Sequence, residues 1–328
     1  MAVEEAGKPF DLSRGPLLRM VLLRLEEEQH ILLCTVHHLG GDAWSLEVLS
    51  RELSHLYQSY SLGQRSQLPE LGIQYGDYAV WQRKWLSGEV VEERRRYWKK
   101  RLEGAPGELK LPQKQRRGAV QSFQGARQGM ELEEGLSEEV RGLSRREGVT
   151  LYMSLLTAFV VLLNQYTGER DMVVGSVIAN REREEVEELI GFVANTILLR
   201  VEVEEGWSFR EVLGHVRERC LEAYAEHLPP EKLVEGREGT GPLFNVWFQM
   251  EQAGREKLEL NGLKWENYAV ERANARFELS LILVEKDSTI AGELEYDASL
   301  FDDETITQML DDYVGIVKQI STQPDRSF

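Results

Sequence analysis

The pattern of apolar and polar residues near the start of the chain predicts a hairpin followed by a helix. Two apolar runs, residues 17–25 and 31–36, flank a short charged turn, as expected for two antiparallel strands. His37 and His38 end the second strand in this interpretation. Asp42 can then cap a helix, because apolar residues recur after it at spacings of three and four. We therefore expect the two histidines on a strand-to-helix loop.

The next part of the chain predicts two more helices and then a break. Apolar residues recur at helical spacing over residues 75–86 and 91–102. The composition then changes over residues 104–118, where Pro106 and Pro112 prevent a regular helix. This stretch predicts a boundary between domains.

Helical and strand patterns alternate beyond this break, which predicts a mixed α/β fold. Strands are expected at residues 129–132, 172–176, 196–203, 244–251, 277–283 and 290–296, and helices at 138–146, 151–166, 209–224 and 303–320. We divide the chain into a partial amino-terminal lobe (residues 1–106), a linker (107–125) and a carboxy-terminal lobe (126–328).

Composition and charge narrow the classes of partner. The formal net charge of −17 opposes nucleic acid and anionic membranes, which bind clustered Lys and Arg. Cys34 and Cys220 are too few for a disulfide framework, and the first residues do not resemble a secretion signal. No apolar run reaches the ~18 residues that a membrane span needs. We expect a cytoplasmic protein without nucleic-acid or membrane partners.

His37 and His38 are the first candidates for chemistry, and the residues alone leave three interpretations. Both rings can be satisfied structural groups. Cys34, His38 and Asp42 are spaced four apart and could bind zinc, but that spacing aligns ligands on a helix, whereas Cys34 belongs to a predicted strand. In the third interpretation a neutral His38 accepts a proton from a nucleophile. Gly40 then allows a tight turn with free backbone amides.

Six segments, taken in order, resemble the motifs of the condensation-domain family of nonribosomal peptide synthetases. They are residues 10–19 (FDLSRGPLLR), 37–45 (HHLGGDAWS), 75–82 (YGDYAVWQ), 190–196 (IGFVANT), 229–234 (PPEKLV) and 242–248 (PLFNVWF). The second resembles the family's HHxxxDG signature, and the likeness runs from residue 9 to about residue 324. No other family that we know has this series.

The resemblance implies a fold and an activity. The expected fold is two lobes, each similar to chloramphenicol acetyltransferase, which meet along a tunnel with His38 near its middle. Donor and acceptor peptidyl carrier proteins would present thioesters on phosphopantetheine arms, and the acceptor amine would attack the donor carbonyl to form a peptide bond. The family's setting in natural product biosynthesis implies an adjacent adenylation domain. It implies no metal and no bound cofactor.

The resemblance also implies roles for individual residues. His38 is the expected catalytic residue. The structural residues of its loop are expected to be His37, Gly41, Asp42 and Ala43, with Asp42 held by an arginine. Lining of the substrate tunnel is expected from Trp44, Ser176, Asn180 and Asn195. Three aromatic residues after the signature, Tyr78, Trp81 and Trp85, are expected to anchor the core.

Departures from the family pattern leave alternatives open. Ala43 replaces the glycine of the signature, which disfavours a positive φ at that position. The family has further strands before the point where this sequence begins, so we expect a truncated amino-terminal lobe with an exposed strand edge. A noncatalytic carrier-protein or partner docking module on the same fold is therefore one alternative.

An epimerization domain is another alternative, although that family usually continues with Val-Ser-Trp-Arg where this chain has Ala43, Trp44, Ser45 and Leu46. A heterocyclization domain is disfavoured, because it normally has an aspartate in place of His37.

Overall fold

A computed structural model describes residues 2–114, 124–229, 232–233, 242–252, 258, 260–266 and 274–328. Their contacts divide the chain into two units. The first contains residues 1–87 and 179–194 with the described part of 254–272, and the second contains the described residues of 88–178, 195–253 and 273–328. The lobe boundaries expected from the sequence stay a prediction. Residues 115–123 of the expected linker lie outside the described residues.

The first unit contains the predicted hairpin. Strand β1 (Leu18–Arg24) pairs antiparallel with β2 (His30–Val36), and Leu18 lies opposite Val36. Burial alternates along both strands, so one face of the hairpin is exposed. The second strand ends at Val36, earlier than expected, and both histidines lie on the loop between this strand and the next helix, as the sequence predicts. Helix α1 (Ala2–Gly7) precedes the hairpin.

Helices α2 (Ala43–Ser61) and α3 (Tyr75–Trp85) follow the hairpin, and a single helical turn (Glu184–Glu187) also belongs to the first unit. Tyr78 of α3 is buried in a cluster with Val186, Leu189 and Val193, which attaches residues 179–194 to the helix. Trp81, which we expected to anchor the core, is 40% exposed, although its ring lies beside that of the buried Tyr78, with 5.8 Å between the centroids.

The second unit is built on a mixed sheet. Its strands are β3 (Gly125–Leu132), β4 (Asp171–Ile178), β5 (Asn195–Glu202), β6 (Val246–Gln252), β7 (Leu279–Glu285) and β8 (Ile290–Asp297). Among the described residues the strand order is β3-β8-β7-β6-β4-β5. The pairs β4–β6 and β6–β7 are parallel, and the others are antiparallel. The hairpin predicted near the end of the chain is β7–β8.

Helices accompany this sheet. They are α4 (Glu89–Arg101), α5 (Glu134–Glu147), α6 (Leu151–Thr167), α7 (Phe209–Ala225) and α8 (Asp303–Thr322). Helix α6 begins after Thr150, whose hydroxyl accepts a hydrogen bond from the amide of Met153, and it ends at Gly168 in the left-handed conformation. Almost all of its central residues are buried, as expected for a helix that is apolar on every side.

Among the described residues, no single helix is long and apolar enough to cross a bilayer. Helices α5 and α6 reach the necessary length and hydropathy only as a pair, and that pair is bent by 105°.

A strand glycine in the second unit provides a test of packing. A Cβ atom on Gly175 would lie 2.2 Å from the ring of Phe244, whereas one on Gly129 would have only an ordinary contact at 3.7 Å. We expect Gly175→Ala to lower the free energy of unfolding by about 1–3 kcal/mol through overpacking. The control Gly129→Ala should change it by less than ~1 kcal/mol. Denaturant unfolding measures both, and equal effects would contradict the contact with Phe244.

Candidate functional site

The loop between β2 and α2 is built from two short pieces of backbone. His37 has an extended conformation, with φ of −72° and ψ of 140°, and residues 38–40 form a single 3-10 turn. Gly41 is extended again, and Asp42 caps α2 by accepting a hydrogen bond from the amide of Ser45 at 2.9 Å. The loop therefore folds back on itself directly before a well-capped helix.

His38 presents an accessible imidazole on this loop. Its ring is exposed, and its Nδ1 atom lies 2.9 Å from the carbonyl oxygen of Gly41. A carbonyl only accepts hydrogen bonds, so this contact requires the proton of the neutral ring to be on Nδ1. The lone pair is then on Nε2. The loop thus leaves the Nε2 lone pair of His38 available to accept a proton.

His37 has the opposite arrangement. Its Nδ1 atom accepts a hydrogen bond from the backbone amide of Leu39 at 3.1 Å, so in the neutral ring the proton is on Nε2. The ring packs edge-on against Phe10, with 5.6 Å between the centroids. The adjacent histidines therefore have different tautomers and different partners, which agrees with different roles. The roles themselves stay predictions.

Asp42 is the most highly bonded residue of the loop. One carboxylate oxygen accepts from the amide and hydroxyl of Ser45 and from the Arg181 guanidinium at 3.0 Å. The other accepts from the amides of Val193 and Ala194, at 3.0 and 2.9 Å. Burial by itself would raise the pKa of Asp42, but these hydrogen bonds and the charge of Arg181 outweigh it, so its pKa lies below the ordinary value.

Arg181 provides the arginine that we expected to hold Asp42. Its side chain is 1% exposed, which makes the pair a buried one. The same guanidinium donates to the carbonyl of Leu189 at 2.8 Å and to that of Val186. These acceptors offset much of the cost of desolvating the charge, although the buried Nε atom of Arg181 has no hydrogen-bond partner among the described residues.

The other residues expected in the loop have clear structural positions. Ala43 is the first residue of α2, and among the described residues the one non-glycine with a positive φ is Asn180. Replacement of the signature glycine by Ala43 therefore causes no backbone strain. A Cβ on Gly41 would approach the Cβ of Ser45 to 3.1 Å, so this position has little space. The indole of Trp44 donates to the carbonyl of Glu187 at 2.8 Å.

The residues expected to line the tunnel belong to different units. Asn180 lies in the first unit, where its amide donates to the Tyr78 hydroxyl and to the carbonyl of Val193. Ser176 and Asn195 lie in the second unit. Ser176 is fully buried and bonded to the carbonyl of Phe248 at 2.7 Å. Their role in lining a tunnel stays a prediction.

Sequence reasoning missed several residues of the site. Ser45 donates to the carbonyl of Gly191 at 2.8 Å and accepts from its amide at 3.1 Å. The Tyr75 hydroxyl donates to the carbonyl of Phe192 at 3.0 Å. The signal that could have located Ser45 is its place three residues after the capping Asp42. The contacts of Gly191 and Phe192 with residues more than 100 positions away give no local pattern.

Among the described residues, no three His, Cys, Asp or Glu side chains converge as a possible ligand set. Both oxygens of Asp42 already accept several hydrogen bonds, and Cys34 lies on β2. The expectation that the chain binds no metal and no cofactor stays a prediction.

The sequence matches a known protein family and two long synthetases. The family model described as "Condensation domain" matches residues 1–328. A linear gramicidin synthase of Brevibacillus parabrevis is 41% identical over 99% of this chain, and phosphinothricin tripeptide synthetase PhsC of Streptomyces viridochromogenes is also 41% identical over 99%. The chain spans 4% and 30% of the length of these two relatives.

Solved structures confirm the fold class. The X-domain from teicoplanin biosynthesis is 26% identical, with a TM-score of 0.90 over 99% of this chain and 76% of that one. The same domain in complex with OxyB gives a TM-score of 0.89 over 99% and 75%. The expected mixed α/β fold is thus confirmed. The segment expected to match at residues 229–234 lies partly outside the described residues.

The buried pair makes a prediction about stability and pH. Asp42→Asn leaves the charge of Arg181 without its carboxylate, so we expect the free energy of unfolding to fall by about 3–5 kcal/mol at neutral pH. Because the pKa of Asp42 is lowered in the folded state, its contribution is complete above about pH 4 and is lost as the pH falls through the folded pKa. The difference in the free energy of unfolding between the parent chain and Asp42→Asn should therefore become smaller below pH 4.

Glu188→Gln is the matched control. It removes a carboxylate that pairs with Arg51 in the same unit, but this pair is partly exposed. We expect a loss of less than ~1 kcal/mol. Denaturant unfolding of the three proteins between pH 3 and pH 7 measures both effects. Two outcomes would contradict a stabilising buried pair of Asp42 and Arg181. One is an equal loss of unfolding free energy in the two variants, and the other is a loss for Asp42→Asn that does not change with pH.

Proposed function

The chain belongs to the condensation-domain family, and on that premise we propose that it forms an amide bond between two thioesters in nonribosomal peptide synthesis. The donor acyl group and the acceptor amine would be held on phosphopantetheine arms of two carrier proteins. The observation that carries this proposal is the exposed His38, whose Nδ1 is held by Gly41 and whose Nε2 is left as proton acceptor. This is the state that a general base needs.

The proposed step balances without a metal or nucleotide. The acceptor nitrogen attacks the donor carbonyl carbon, and a C–N bond forms as the C–S bond breaks. His38 Nε2 takes the proton that the attacking nitrogen loses and returns it to the leaving thiolate. The product stays on the acceptor arm, and the donor arm leaves as a free thiol. Confinement of both arms near His38 adds to the rate through effective molarity.

The proposed setting is a multidomain synthetase in the cytoplasm. The relatives bear the names of synthetases that are far longer than this chain, which supports neighbouring carrier and adenylation domains. The substrates would arrive covalently attached, so no bound cofactor is needed. Neither nucleic acid nor a membrane is part of the proposed reaction.

Partner docking is a second candidate function. It is favoured by one observation, the solved complex of the X-domain from teicoplanin biosynthesis with OxyB, since that domain has the fold of this chain at 26% identity. A docking module would bind a partner without needing His38. Epimerization is a third candidate, in which His38 would act on the α-carbon of a single bound aminoacyl group.

A reaction with two loaded carrier proteins separates these candidates. We expect the condensed product on the acceptor arm, detected by mass spectrometry of the intact carrier. Each loaded carrier incubated alone, in deuterated buffer, is the control. Deuterium incorporation at the α-carbon without a second carrier would favour epimerization. Stable binding of a carrier or partner with no product would favour docking.

The two histidines should differ in their effect on this reaction. His38→Ala should lower the rate of amide formation by about 10²- to 10⁴-fold, because the proton acceptor is lost. His37→Ala should act mainly on stability, by about 0.5–2 kcal/mol, because the amide of Leu39 loses its acceptor.

His37→Asn is the matched control, since asparagine is also a capping acceptor and should recover most of that stability. Rates are compared at equal folded fraction, determined by circular dichroism. Equal rates for His38→Ala and the parent chain would contradict the catalytic role.

A further inference from the structure

Residues 191–194 form a short segment whose backbone is held by side chains. Ser45 bonds both the amide and the carbonyl of Gly191. The amides of the last two residues of the segment donate to Asp42. The Phe192 carbonyl accepts from the hydroxyl of Tyr75 at 3.0 Å. Because side chains replace the partners that a strand or helix would supply, the path of this backbone is determined residue by residue.

Gly191 is the point of closest approach. A Cβ atom there would lie 2.1 Å from the ring of Tyr75, so no side chain larger than hydrogen fits without movement of that ring. Two positions later, Val193 is buried in the cluster with Tyr78. Gly191 and Val193 thus fix the segment on both sides of Phe192.

Phe192 is directed outward between these anchors and contacts His38. Its side chain is 38% exposed, and its ring centroid lies 4.6 Å from that of the imidazole, at an interplanar angle of 47°. The imidazole therefore has two neighbours, the Gly41 carbonyl at Nδ1 and the tilted ring of Phe192. Both contacts restrict rotation of a ring that is exposed to solvent. Rings in tilted contact at this distance attract each other.

We propose that Phe192 is a positioning residue that holds the His38 imidazole in the orientation that presents Nε2, and that Tyr75 and Ser45 fix Phe192 through its backbone. The proposal rests on the proposed function for its effect on rate. Its effect on the His38 ring does not depend on that function. Buried side chains hold the backbone of residues 191–194 in place. This backbone determines where the exposed phenyl ring lies, and the phenyl ring in turn limits where the exposed imidazole can lie.

Nitrogen NMR of the full chain with ¹⁵N-labelled histidine tests the first part of the proposal. The chain has 6 histidines, and His38→Ala identifies the signals of His38. At a pH where the ring is neutral, the parent should have an excess of the Nδ1-protonated tautomer. Phe192→Ala should lose that excess, because the imidazole can then rotate away from Gly41. Phe192→Tyr, which keeps the aromatic ring, should retain it.

Kinetics with two loaded carrier proteins test the second part. Phe192→Ala should lower kcat by roughly 10- to 100-fold, as expected when a reacting group is misplaced, with KM for both carriers unchanged. Phe192→Tyr should restore kcat. The matched control is Ile190→Ala, which removes an apolar side chain of the same 38% exposure two residues away and should leave kcat unchanged. Tyr75→Phe should shift the tautomer excess and kcat in the same direction as Phe192→Ala, by less.

The outcomes separate this inference from the proposed function. If the parent forms no amide, the proposed function fails, and the NMR comparison alone decides whether Phe192 positions His38. If the parent is active and Phe192→Ala keeps both its rate and its tautomer excess, the inference is overturned while the function stands. A loss of kcat without a change in the tautomer, or an equal loss in Ile190→Ala, also overturns it.

Discussion

The buried pair of Asp42 and Arg181 is the interaction on which the geometry of the site depends. The two residues are 139 positions apart, yet they join the start of α2 to the segment that ends at residue 194. Removing both charges from water is costly unless nearly every lone pair and proton finds a partner. Asp42 meets this condition with donors from Ser45, Arg181 and two backbone amides, so the carboxylate stays charged inside the protein. The pair therefore fixes where these pieces of backbone meet.

An exposed imidazole needs a fixed loop if it is to act as the proton acceptor that we propose. His38 is in a 3-10 turn only a few residues from Asp42, so the hydrogen bonds that cap α2 also limit the path of the loop that carries the imidazole. His37 adds a second restraint by accepting from Leu39 within the same turn. The different tautomers of His37 and His38 agree with different roles for the two rings. His37 uses its Nδ1 lone pair to accept from Leu39, whereas His38 keeps its Nε2 lone pair, which the proposed reaction requires.

The sequence predicted the regular elements well and the contacts of the site only in part. The hairpin, α2 and the alternation of the second unit were predictable because periodicity is local information. The cap at Asp42 was predictable for the same reason. Arg181 was expected only as an unspecified arginine, because nothing near it in sequence indicates Asp42 as its partner. The exposure of Trp81 could not be predicted either, since Trp81 and the buried Tyr78 are neighbours on the surface of α3 and only tertiary packing decides which of them is covered.

Residues 191–194 show why such a site is difficult to predict from sequence. Read alone, the apolar run from residue 190 to 199 has the composition of one buried strand, but β5 begins only at Asn195. Each of residues 191–193 has a different structural role. Position 191 has no side chain because Tyr75 lies there, Phe192 faces His38, and Val193 fills the core. Residues with different structural roles thus form what looks like one apolar strand in the sequence. Only their contacts with distant residues show that the roles differ. Position 192 is therefore related to the position of the His38 ring, which lies outside the segment and to which we assign the catalytic role.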